Sequence, residues 1–399
     1  MERCSAAQNS VLQNSSADSQ SAGLEAHVAT GLERIRGLLR RKSLDGVVLT
    51  TPANVAWVTG GLGPRVDRTA ASDPVWLVVG EHRFSCVTSV VEYPRLREKL
   101  EQLGVDGIER VPWAPAGAYL EAAMSSLPSR SGRLGIDRTG GAWTAEAISV
   151  ENDLLPMRMV LTDHGKRSLA ALGEEAARAA EEAAREWRPG AIDLEIQARL
   201  CFELERRGIE PAVVIVGGDE RLRSLRHPVA VAAPVTELMM IVVVGVRDGL
   251  NVALTRFVSS AIPPRSWTEK MASLGQLQEQ VVSAAVPGMS YGYLAETLAR
   301  GYAEAGHPGE WRNHFQGGPI AYQQREFEIA PGELESPWYD LEVSEGHAVA
   351  YNPSLPGGVK VEDTYLVGAS GASCVTDTGD WPRLALPGGT LVASALTLV

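Results

Sequence analysis

Helix-period and strand-period apolar patterns alternate along most of this chain. Between about residue 30 and Arg41, leucine and isoleucine recur at helical spacing, and the apolar run Val47 to Thr50 follows as a strand. Pro52 and Gly60 bracket a short segment. Val75 to Gly80 and Phe84 to Val91 read as two further strands, joined by Glu81-His82-Arg83, in which His82 is a solvated turn residue. Residues 92–104 read as a helix, Leu134 to Asp137 as a strand and Thr144 to Ile148 as a helix. Leu154 to Val160 fits a strand of either half of the chain.

Beyond that point the elements are longer. An alanine-rich helix of strong intrinsic propensity runs from Asp163 to Trp187, its Glu-rich face read as solvated, and Arg188-Pro189-Gly190 stops it. A second amphipathic helix spans Asp193 to Arg207. A strand starting at Pro211 ends in a loop from Asp219 to Pro228. Met239 to Val246 and Leu250 to Val258 form a hairpin about an Asp248-Gly249 turn. Helices follow at about 266–285 and 290–305, then strands at His347 to Pro353 and Val361 to Val367. The expected fold class is α/β in two domains, with a disordered tail over 1–28, a first domain over 29–158 and a second over 159–399.

The tail expectation rests on residues rich in Ser, Ala, Gln and Asn, without an apolar run long enough for a signal peptide or a membrane span. Apolar content of 45% and charged content of 22% are ordinary for a globular protein. A formal net charge of -12 argues against a nucleic-acid partner and against an anionic membrane surface. The cysteines at 4, 86, 201 and 374 have no C-x-x-C spacing, so neither a zinc knuckle nor a disulfide framework is indicated, and a cytoplasmic location is expected.

Chemistry concentrates between His314 and Glu326, where an imidazole, a Gly-Gly break, Gln316, Tyr322 and Arg325 share one short stretch. Each such polar group needs a partner if buried, so the stretch reads as the floor of a pocket; the other reading is a polar loop between two strands. His227, before a proline in a loop, is a general acid/base candidate, or a turn histidine with no task.

The order of elements, with the His314 stretch and the Val361-Glu362-Asp363-Thr364 strand, resembles the pita-bread family of methionine aminopeptidase, prolidase and creatinase. Asn54 to Gly60 is similar to an Asn-containing element of the creatinase and prolidase N-terminal domain. The resemblance implies a creatinase-like N-terminal α/β domain and a C-terminal pita-bread α+β domain. The family's metallopeptidases hold two metal ions through two aspartates, a histidine and two glutamates; these fall at or beside Val242 and at Ala253, His314, Asn352 and Glu362. Only two of the five are kept, which cannot neutralise a two-metal cluster, so no metal and no cofactor is expected.

Creatinase, the metal-free member, offers the nearer pattern. Its catalytic histidine falls at His227, its carboxylate-binding arginine at Arg325, and a second arginine, given by the partner subunit of a homodimer, at Arg68. Its two guanidinium-binding glutamates fall at Thr255 and Asn352, and a further histidine at Ala321, so creatine is not the expected substrate. The expected catalytic residues are His227, His314 and Glu362, with Glu362 acting directly or orienting His314. Arg325, Arg68, Tyr322, Gln316, Thr255 and Asn352 are expected to bind a small carboxylate-bearing substrate, Arg325 either as a clamp or paired with Glu326 or Glu328. The reaction expected first is C–N hydrolysis, with elimination, isomerisation or cyclisation open, in a specialised biosynthetic pathway. From another class, the chain could be an inactive family member that only binds a ligand or protein.

Overall fold

The computed structural model describes residues 2–115, 117–127, 133–138, 147–386 and 391–398, with side chains from residue 21 onward except Leu391. It divides into two compact units, 1–165 and 166–399.

The first unit runs α1 (Glu2–Lys42), β1 (Gly46–Leu49), α2 (Pro52–Thr59), β2 (Val75–Val79), β3 (Phe84–Ser89), α3 (Tyr93–Gln102), β4 (Gly107–Val111), α4 (Ala118–Ser125), β5 (Leu134–Ile136), β6 (Ile148–Ser149) and α5 (Glu151–Met159). Its sheet has the order β4-β3-β2-β1-β5-β6, with β1 antiparallel to β2 and parallel to β5. Every residue of β1 and β3 is buried, which explains their unbroken apolar or small-residue character. Two expectations change here. Helix α1 takes in the residues expected as a tail; over 21–28 the cause is packing, since His27 and Val28 are buried and His27 Nε2 donates to the Trp57 carbonyl at 2.7 Å. Leu154 to Val160 is no strand, because α5 buries Leu154, Leu155 and Met159 on one side. The helix expected at Thr144 to Ile148 lies outside the described residues up to 146, and Ile148 begins β6.

Asn54, fully buried, ties this unit together. Its Nδ2 donates to Asp137 at 3.1 Å and to Glu151 at 2.9 Å, while its Oδ1 accepts from Arg158. Asp137 also accepts the backbone N–H groups of Thr50 and Thr51, so the polar atoms at the end of β1 are satisfied within the fold.

Helix α6 (Asp163–Glu186) leads into the second unit, where its alanine stripe is buried from Ala176 to Ala184. Glu181 on this helix is buried too, unlike the solvated face expected for its glutamates. The unit continues with β7 (Ala191–Ile192), α7 (Asp193–Glu205), β8 (Glu210–Gly218), α8 (Asp219–Ser224), β9 (Pro234–Val235), β10 (Leu238–Arg247), β11 (Leu250–Ser259), α9 (Arg265–Ala284) and α10 (Tyr291–Glu304). A 3₁₀ turn over Glu310–Asn313 leads to β12 (Gly317–Pro319), β13 (Ala348–Tyr351), β14 (Ser354–Leu355), β15 (Val359–Lys360), β16 (Asp363–Gly368), β17 (Gly371–Cys374), β18 (Arg383–Ala385), β19 (Leu391–Ala393) and β20 (Ala395–Thr397).

Two four-stranded sheets, β20-β11-β10-β8 and β12-β13-β16-β17, carry the candidate site. The Asp248-Gly249 turn has φ of 52° and 81°, as a tight hairpin demands, and it sets Val242 opposite Thr255 and Val244 opposite Ala253. The sheets meet where Thr255 N donates to the Glu362 carbonyl at 3.0 Å and Thr364 Oγ1 donates to the Ala253 carbonyl at 2.9 Å.

Candidate functional site

The loop after α8 carries His227, and β8 fixes that loop from below. A Cβ on Gly217 would lie 2.2 Å from the Pro228 carbonyl oxygen, so only glycine lets the His227-Pro228 turn lie on the strand. The His227 ring is exposed on one side and stands 5.2 Å, centroid to centroid, from that of His314 at an edge-on angle of 65°. His314 follows the 3₁₀ turn in extended backbone, and Gly317, at φ 85°, lets the chain press on β13, where a side chain would meet the Ala350 oxygen at 2.1 Å.

The third wall is a β-ladder. Tyr351 pairs with Asp363 and Ser354 with Lys360, so Asn352 and Glu362 oppose one another between them. Alternation then puts Lys360, Glu362 and Thr364 on one face. All three are buried, and Glu362 Oε2 accepts the Thr255 hydroxyl at 2.6 Å while lying 3.9 Å from Lys360 Nζ. Arg226, beside His227, donates to Ser354 Oγ at 3.0 Å and pairs with Glu310.

The surroundings push both imidazoles below their ordinary range. Burial, then the Lys360 charge, push His314 down to about 3; its Nδ1 contacts the Phe315 carbonyl, an acceptor, so Nδ1 carries the proton and Nε2 is left as a lone pair. That Nε2 is buried without a partner, as is Asn352 Oδ1. Burial and Lys360 also lower His227, with Glu362 opposing. Lys360 is itself lowered by burial, against the pull of Glu362 and with a push from Arg325 and Arg226.

The structure thus brings His227, His314, Glu362, Thr255 and Asn352 into one place, and adds two cations the sequence reading passed over, Lys360 and Arg226. A lysine in a strand reads as a solvated position, and the signal that could have found it is its spacing of two from Glu362. Other expected residues stand differently. Gln316 lines a pocket with His314 and Tyr351 and is also held by the fold, accepting from Tyr302 at 3.0 Å and donating to the Trp311 and His314 carbonyls. Glu326 accepts the N–H groups of Tyr322 and Gln323 and so shapes the turn that positions Arg325; Tyr322 is buried. Arg325 pairs with Glu328 and lies 5.9 Å over the Phe315 ring. Arg68 is exposed in the first unit, on a loop where its carbonyl accepts from Arg65 at 3.1 Å.

Known proteins carry the same architecture. Residues 32–160 match the model of the creatinase/prolidase N-terminal domain. The Xaa-Pro dipeptidase of Pyrococcus horikoshii is 23% identical over 240 residues, 58% of this chain and 67% of that protein. The Bacillus subtilis protein YkvY is 24% identical over 246 residues, 60% of this chain and 65% of its own length, so the chain spans just under two thirds of that relative. Among solved structures, the prolidase from Pyrococcus horikoshii OT3 superposes with a TM-score of 0.71 at 19% identity, over 87% of this chain and 98% of that one. Residues 32–160 therefore match a creatinase/prolidase N-terminal domain, and the chain shares its fold with the solved prolidases.

Proposed function

We propose that this chain is a metal-independent hydrolase that cleaves a C–N bond in a small carboxylate-bearing molecule by acid/base chemistry. Hydrolysis is favoured by relatives named as dipeptidase and prolidase. Metal independence is supported by the donor set. Positions 242, 253 and 352, where the family resemblance expects carboxylates, hold Val, Ala and Asn, and among the described residues no three His, Cys, Asp or Glu side chains gather to hold a metal ion. The one carboxylate in the site, Glu362, already faces an ammonium and a hydroxyl. A divalent pair would have to displace that cation and bind with a single anionic donor, so the residues do not fit it.

The observation that carries the reading is the exposed His227 ring, 5.2 Å from that of His314 and close enough to Lys360 and Glu362 to feel both charges. In this site His227 takes a proton from water and returns it to the leaving nitrogen. Arg325, released from Glu328, would grip the substrate carboxylate. The test is to purify the full chain, measure bound metal, and assay N-acetyl amino acids with and without a chelator. Hydrolysis that survives chelation in metal-free protein is expected. One or two tightly held transition-metal ions per chain, with activity lost on chelation, would overturn the proposal.

A further inference from the structure

Lys360 is the cation of this site whose donors are unmatched. The residue is 4% exposed, and its ammonium has no hydrogen-bond acceptor among the described residues; Glu362, at 3.9 Å, is beyond hydrogen-bond distance and already accepts from Thr255. The neighbouring cations are provided for, Arg226 by Glu310 and Arg325 by Glu328. An ammonium largely shielded from water and without protein acceptors is costly, and a fold tolerates it where a ligand will meet it. Two further buried atoms near it have unused lone pairs, His314 Nε2 and Asn352 Oδ1. A donor-rich cation beside two acceptors is the complement of a group that has a polarised oxygen next to an N–H, which is a carboxamide.

We propose that Lys360 binds the carbonyl oxygen of the scissile amide and holds the negative charge that forms on it. The inference rests on the hydrolytic reading above and specifies its substrate as an N-acyl compound bearing a carboxylate. Water adds to the carbonyl carbon as His227 removes its proton, and the C=O electron pair moves onto the oxygen held by Lys360. When the tetrahedral adduct collapses, that pair re-forms the C=O, the C–N bond breaks, and the nitrogen leaves with the proton from His227. The products are a carboxylic acid and an amine. The charged and titratable groups around the ammonium are Glu362 on its own strand region, Arg226 and His227 from the loop after α8, His314 from the segment before β12, and Arg325 from the turn after β12. A fixed cation is suited to this task because its stabilisation grows as charge develops on the oxygen.

The experiment uses full-length protein labelled at lysine with ¹³C and ¹⁵N, with the Lys360 signal assigned from its loss in Lys360→Arg. N-acetylglycine should shift that signal in wild type and in His227→Ala, whereas pentanoate, a carboxylate of similar length without an amide, should leave it unmoved. In parallel, Lys360→Met should lower turnover of N-acetyl amino acids by about a hundred- to a thousandfold with little change in KM, the range for loss of one oxyanion donor. No shift with N-acetylglycine, an equal shift with pentanoate, or near-wild-type turnover in Lys360→Met would each overturn the assignment. The two readings separate cleanly. A shift specific to the acyl compound without any hydrolysis defeats only the hydrolytic reading; hydrolysis undiminished in Lys360→Met defeats only the role of Lys360.

Discussion

At the scale of single residues, His227 and Arg325 are close enough for the arginine's charge to act on the imidazole, but should fail in different ways when removed. Arg325→Ala deletes a bidentate partner for a carboxylate and is expected to weaken binding by about 2–3 kcal/mol, in the range for a charge-assisted hydrogen bond left unmade. His227→Ala should lower turnover by about two to four orders of magnitude and leave binding nearly intact, since a general acid/base acts in the transition state. Steady-state kinetics on the best N-acetyl amino acid tests the split, and wild-type turnover in His227→Ala would make the histidine a turn residue only. These two positions were legible because the loop histidine and the Tyr322 to Glu326 run have a recognisable order. Lys360 was not, because a lysine in a strand reads as solvated and only the packing of the second unit buries it. His27 gives a residue-scale prediction about stability. Burial is the main cause that lowers it to about 4, against the raising effect of its bond to the Trp57 carbonyl. A histidine depressed in the folded state is protonated first in the unfolded chain, so its contribution is intact above about pH 6.5 and is lost as pH falls from there towards 4. Denaturant unfolding at pH 5 should show a stability lower by about 2 kcal/mol from this group than at pH 7.5. His27→Gln should remove that part of the pH dependence; an unchanged slope would show that His27 titrates alike in both states.

At the scale of elements, the chain's most apolar strands were the easiest to foresee, and the hairpin of β10 and β11 is set by its Asp-Gly turn. What escaped were elements whose reason to exist is tertiary. Helix α8 is a short stretch fixed by Asp219, whose carboxylate accepts the N–H groups of Thr236, Glu237 and Leu238. Helix α5 contains Pro156, which argues locally against a helix, yet Arg158 on it is fully buried and bonded to Asn54 and Glu151. The joint between β11 and β16 deserves a mutational test of its own. Arg256 on β11 is 2% exposed, and its guanidinium donates to Asp363 at 2.9 Å and to the Thr376 carbonyl at 2.5 Å, with Glu181 of α6 at 3.5 Å. Arg256→Met leaves two buried carboxylates without their cation, and should cost about 3–5 kcal/mol in urea unfolding. It sits next to Thr255, so the same network holds the hydroxyl that binds Glu362. Equal stability of wild type and variant would show that the carboxylates are protonated or hydrated in the folded protein.

At the scale of the whole molecule, Arg68 belongs to the first unit and the candidate chemistry to the second. The resemblance to creatinase implies an arginine at this position in the pocket of the partner subunit, and we propose on that ground a two-fold dimer in which each pocket draws Arg68 from the other copy. Complementation between two defective chains decides this. Arg68→Ala and His227→Ala are each expected to be nearly inactive as homodimers. In a mixed dimer, the pocket of the Arg68→Ala chain keeps its own His227 and receives Arg68 from the His227→Ala chain, while the other pocket lacks both groups. Random reassembly of equal amounts makes half the dimers mixed, with one intact pocket in two, so turnover should recover to about a quarter of wild type under two-fold pairing. Arg68 acting within its own chain gives no recovery, because every pocket then keeps one lesion. A chain that sediments as a monomer and is fully active would remove Arg68 from any partner's pocket.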